Sequence, residues 1–135
     1  MHSRTWTSLI LCLLMAPAMR AAHGADAPSG RFYCDRTALN AEEKLAIRTH
    51  GRVLHDSVTR VRELPNGFEI EVTPNAAAYR ALVEYIPLEQ RCCPFFDFTV
   101  RVGPEGSRLL WTLTGARGVK AFIKEELSWL FERSP

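Results

Sequence analysis

Two adjacent cysteines, Cys92 and Cys93, are the residues of this 135-residue chain whose type and placement point most directly to chemistry. Thiolates are soft donors that suit Cu(I), Zn(II) and similar ions, and Cys34 can add a third sulfur. Neighbouring positions on a regular helix point about 100° apart, so the pair chelates together only where the last turn loosens. Two disulfide readings stand beside the metal reading. Cys34 can bond one of the pair and leave the other free, or Cys92 and Cys93 can close a strained, easily reduced ring. A plainer reading makes the cysteines small apolar core residues. Two adjacent cysteines are a weaker metal signature than matched Cys-x-x-Cys pairs, and the chain has no such pairs.

The neighbours of the pair offer further groups. Glu89 lies three and four residues before the thiols, where it can serve as an oxygen ligand or a proton acceptor. A carboxylate in that setting is expected in solvent or paired with a nearby arginine. Arg91 adjoins Cys92 and could lower a thiol pKa. His50 and His55 are five residues apart, a poor spacing for one helix face, so a two-histidine metal site is not expected. Cys93-Pro94 alone is too short to indicate haem, and no C-x-x-C-H occurs. Gly115-Ala116-Arg117-Gly118 lacks the Lys-Ser/Thr of a phosphate-binding loop and reads as a tight turn into a helix. Neither G-x-S-x-G nor H-E-x-x-H is present, so no catalytic residue is assigned.

The N-terminus decides how the thiols are read. Arg4 precedes the short apolar run Leu9 to Met15, and small residues follow at Ala21, Ala22, Gly24 and Ala25. That layout predicts a secretory signal peptide over residues 1–24, too short in its apolar part to span a bilayer. The expected product is a soluble periplasmic or secreted protein with no stable membrane anchor after cleavage. Without Arg4 and Arg20 the remainder balances 15 basic against 15 acidic residues, which gives no reason to expect nucleic acid as a partner. Cys34, Cys92 and Cys93 would then sit in an oxidising compartment, where an odd number leaves one thiol unpaired, shared between chains, or held by a metal.

Roughly 110 residues suffice for one core, expected as a flexible leader over 25–33 and a single domain over 34–135. Arg31 to Asp35 reads as an extended segment. Asn40 with Glu43 makes a capping box for a helix to about His55, although Gly51 weakens it. Ser57–Leu64 and Phe68–Thr73 flank Pro65-Asn66-Gly67 as a hairpin, with Phe68, Ile70 and Val72 on one face. Asn75 caps a second helix whose expected buried face is Tyr79, Leu82, Val83 and Ile86, with Pro87 kinking or interrupting it. A second hairpin pairs Phe96, Phe98, Val100 and Val102 with Leu109, Trp111 and Leu113 across Gly103–Gly106. A last helix carries Val119, Phe122, Ile123, Leu127, Leu130 and Phe131. The order predicts a two-layer α+β domain, in which a four-stranded antiparallel sheet of two hairpins is covered on one face by about three helices.

The segments Glu89-Gln90-Arg91-Cys92-Cys93-Pro94-Phe95 and Leu113-Thr114-Gly115-Ala116-Arg117-Gly118-Val119-Lys120 resemble those of a group of small, mostly uncharacterised bacterial proteins. Those proteins share E-x-R-C-C-P-F and L-T-G-x-x-G-x-K. The resemblance covers roughly residues 34–127 and implies that the Cys-Cys-Pro-Phe segment matters, without bringing an activity. The resulting first expectation is soft-metal or metalloid binding through Cys92 and Cys93, with Cys34 as third ligand. A thiol–disulfide redox protein is the second. A structural domain meeting a protein partner through its open sheet face is the third.

Overall fold

The computed structural model describes residues 32–132, so the expected signal peptide and most of the expected leader lie outside the described residues. Within them, helices and strands alternate as α-ββ-α-ββ-α. Helix α1 spans Ala41–Ser57 and starts with the expected capping box: Glu43 N–H donates to Asn40 Oδ1, and Asn40 N–H donates to Glu43 Oε2, each at 2.9 Å. Strand β1 (Val58–Leu64) and strand β2 (Gly67–Val72) form the first hairpin. Gly67 is needed where β2 meets the neighbouring strand, because a Cβ there would run into the backbone of Leu113 and Thr114.

Helix α2 covers Ala76–Cys92, with the Asn75 side chain accepting from Ala78 N–H at 2.9 Å. It passes through Pro87 without ending, which corrects the expected interruption. The carbonyl that Pro87 deprives of a donor belongs to Val83, a residue 69% exposed, so water can take the missing donor's place. The buried face of α2 is Ala78, Ala81, Leu82, Tyr85, Glu89 and Cys92. Only Leu82 of the expected stripe is fully buried; Tyr79 and Ile86 lie at the margin and Val83 faces outward. Small alanines and a buried acid carry this interface, and a hydrophobicity pattern does not register them.

Strand β3 (Asp97–Val102) and strand β4 (Leu109–Thr114) complete one antiparallel sheet in the order β1-β2-β4-β3. The inner face joins Ile70 to Trp111 and Phe68 to Leu113 across β2 and β4. Trp111, Phe68, Ile70, Leu109 and Leu113 are almost fully enclosed there. Val100 and Val102 share that side but stay 47% and 51% exposed, because β3 is an edge strand that the helices do not fully cover. Helix α3 (Val119–Glu126) and a 3-10 turn at Ser128–Phe131 bury Val119, Ile123 and Leu130. On the other face Glu69 and Glu71 are half-buried and paired: Arg62 lies 3.0 Å from Glu69 and Arg108 3.1 Å from Glu71.

Candidate functional site

The end of α2 places the two thiols. Cys92 is the last helical residue, and Cys93, at φ −128° and ψ 68°, has left the helix while its N–H still donates to Glu89 O at 2.7 Å. That departure is the loosening that two adjacent cysteines need to share a site. Their sulfurs lie 3.8 Å apart, and both residues are buried. Pro94 follows, and β3 begins three residues later at Asp97.

Cys34 arrives from the segment before α1 and forms a disulfide with Cys93, their Cα atoms 4.8 Å apart. Of the three cysteines among the described residues, Cys92 is left as the free thiol. Several contacts hold the Cys34 segment in place. Asp35 N–H donates to Cys92 O at 2.8 Å, and the Phe32 ring packs 4.9 Å from that of Phe95. Arg91 adds a bridge by donating to Glu43 and, at 2.6 Å, to Ala38 O. Its guanidinium is therefore turned to the Cys34 segment and to α1. Sequence adjacency suggested an influence on the Cys92 thiol, whereas the cation that favours its charged form is Arg36.

Glu89 departs most from expectation. It is 4% exposed, one helical turn before Cys92 and one turn after Tyr85. The three side chains stand in a row at i, i+4 and i+7 on the inner face of α2. Burial pushes the Glu89 carboxyl above the ordinary range, against the opposing hydrogen bond from Tyr85 and the charge of Arg36. Burial, with the Glu89 charge as second cause, pushes the Tyr85 hydroxyl far up. The Cys92 thiol is likewise pushed up to about 11, chiefly by burial and next by Glu89. With no ion present the pocket therefore favours a protonated Cys92, whose Sγ lies 3.5 Å from Glu89 O.

The donor atoms of Cys34, Glu89, Cys92 and Cys93 all lie within 4.8 Å of one another, in a site closed to bulk water on most sides. All three sequence-assigned cysteines are thus brought together, and Glu89 joins them. The cluster has chemistry for either a disulfide or, with the sulfurs reduced, a metal ion. His50 and His55 are not in it. His55 instead lies 3.1 Å from Asp56 and 3.4 Å from Glu132. Sequence reasoning missed Tyr85 and Arg36 as members of the surroundings; the spacing of Tyr85, Glu89 and Cys92 was the available signal. A cavity of about 730 Å3 opens beside Glu89 and Cys92.

No family model matches the chain, and neither the curated proteins nor the solved structures contain a match to it. Among the described residues, no helix is long and apolar enough to cross a membrane.

Proposed function

We propose that this is an exported protein that binds a soft metal or metalloid ion through Cys92, Cys93 and Cys34. The observation that carries the reading is the convergence of three sulfurs and the Glu89 carboxylate within 4.8 Å. A tetrahedral ion with bonds of about 2.3 Å to sulfur separates its sulfurs by about 3.8 Å, and Cys92 and Cys93 already stand 3.8 Å apart. Zn(II) uses the full three-sulfur, one-oxygen set, whereas Cu(I) uses the sulfurs alone. Loading requires reduction of the Cys34–Cys93 bond, so that disulfide is the resting oxidised form. A disulfide beside a free thiol also suits an oxidising compartment, in keeping with the expected signal peptide. The resemblance centred on Glu89 to Phe95 directs attention to the same residues.

X-ray absorption of the reduced, Zn(II)-loaded protein tests this set. Three sulfur neighbours near about 2.3 Å and one oxygen near about 2.0 Å are expected. A first shell of only nitrogen and oxygen would overturn the assignment.

A thiol–disulfide redox role is the second reading, favoured by the disulfide itself with Cys92 3.8 Å from Cys93 Sγ. The Cys92 thiolate would attack Cys93 Sγ, form the Cys92–Cys93 bond and release Cys34 as thiolate, with no net electron transfer. A reduction potential within the range of cellular thiol carriers, lost in Cys34→Ser, would favour this reading over metal storage.

A further inference from the structure

The cavity beside Cys92 is far larger than one ion needs. At about 730 Å3 it falls within the size of small-molecule sites, roughly 300–1,000 Å3. Its lining has an uneven charge. Lys44, Arg48 and Arg52 follow one another at intervals of four on α1, so one helical face brings three cations to the cavity. The acids there are already engaged: Glu126 is 3.6 Å from Arg36, Glu132 is 3.4 Å from His55, and Glu89 accepts from Tyr85. Arg48 and Arg52 have no ion-pair partner among the described residues. Leu127 and Trp129 supply an apolar wall, and the buried Cys92 is also part of the lining. Cations, an apolar wall and a sulfur therefore share one space.

We propose that this cavity takes a small thiol compound bearing a carboxylate, with the carboxylate toward Arg48 and Arg52, the carbon chain along Trp129, and the sulfur at Cys92. The inference rests on the soft-metal reading and names the form in which the ion arrives, as a complex with such thiols. Each protein thiol that takes a bond to the ion gives its proton to the departing ligand sulfur. Before this exchange two molecules of the same class of small thiol reduce the Cys34–Cys93 disulfide, giving two electrons and two protons to its sulfurs and leaving as their own disulfide. The metal–sulfur bonds are then exchanged one for one with no further electron moved.

The recognition can be read at Cys92 alone, on the full protein with its Cys34–Cys93 disulfide intact. The probes are three symmetrical disulfides: dithiodipropionate (anionic), bis(2-hydroxyethyl) disulfide (neutral) and cystamine (cationic). In each case Cys92 sulfur attacks one probe sulfur, the probe S–S bond breaks, a mixed disulfide forms on Cys92, and the other half leaves as thiolate and takes up a proton. Mass spectrometry follows the adduct, and each rate is divided by that of 2-mercaptoethanol with the same probe. At low salt the anionic probe should be favoured over the neutral one by about tenfold or more, with the cationic probe slowest. The preference should vanish in Arg48→Gln/Arg52→Gln and persist in Arg60→Gln, a change on β1. Equal relative rates, or a preference that survives the Arg48/Arg52 change, would overturn the proposal. Uptake of free Zn(II) by the reduced protein, measured separately, reports on the metal reading alone. Loss of charge ranking with metal uptake intact therefore refutes only the ligand, and ranking without metal uptake refutes the delivery step.

Discussion

Glu89 and Cys92 sit one helical turn apart on the inner face of α2, and both are almost wholly enclosed. Burial holds both groups toward their protonated states, and the charge on Glu89 holds the Cys92 thiol there further. Among the charged neighbours, Arg36 opposes this for both groups. An arriving cation would reverse the preference by stabilising both anions together.

This arrangement fixes how Glu89 affects stability. Its carboxyl pKa is raised in the folded protein, so between the unfolded and folded values the unfolded state binds fewer protons. Stability without metal therefore falls as pH rises through that window. Glu89→Gln should remove the decline, leaving a variant that equals the parent in acid and exceeds it in thermal midpoint at neutral pH. Thermal unfolding across pH 4 to 8 tests this, and parallel curves for the two proteins would contradict it.

The free thiol has its own pH signature. With its pKa pushed up to about 11, Cys92 should alkylate slowly at neutral pH, and its rate should still be climbing at about pH 10. Arg36→Gln should slow it further, because that guanidinium favours the thiolate. Iodoacetamide kinetics by intact mass provide the check. A plateau by about pH 8 would place the thiol in a different environment.

The Cys34–Cys93 disulfide closes a loop of sequence separation 59. Loss of this constraint by Cys34→Ser should cost about 2–4 kcal/mol, whereas Cys92→Ser, which breaks no covalent bond, should cost far less. Denaturant unfolding under non-reducing conditions separates the two variants. Equal stabilities would argue against this pairing.

Arg91 is expected to act through position. It holds Glu43 and Ala38 O, and so fixes the segment that carries Cys34 against the end of α2. Arg91→Ala should let a lower concentration of dithiothreitol reduce the disulfide, while leaving the alkylation profile of Cys92 nearly unchanged. A shifted profile with unchanged reducibility would reverse that assignment.

Much of the framework was legible because its signals are local. The Asn40–Glu43 capping box, the alternation of Phe68, Ile70 and Val72, and the turn at Pro65-Asn66 all act within a few residues. The orientation of α2 was not legible, since Ala78, Ala81 and Glu89 are buried through what α1 and the sheet place opposite them. The choice of Cys93 over Cys92 as disulfide partner was equally hidden. It depends on Cys93 leaving the helix and on contacts such as Asp35 to Cys92 O that join distant segments. Val100 and Val102 alternate as an inner face would, yet the strand's place at the sheet edge leaves them exposed. Lys44, Arg48 and Arg52 were not singled out from the sequence, because the cavity that gives their spacing a meaning comes only from the packing of the helices.

The most direct measurement of metal binding is native mass spectrometry of the reduced protein, titrated with Zn(II) and separately with Cu(I). One ion per chain is expected, lost on denaturation, with Cys92→Ser and Cys93→Ser each abolishing retention and Cys34→Ser weakening it. Retention unchanged in both Cys92→Ser and Cys93→Ser, or no retained ion in the reduced parent, would contradict soft-metal binding at this site.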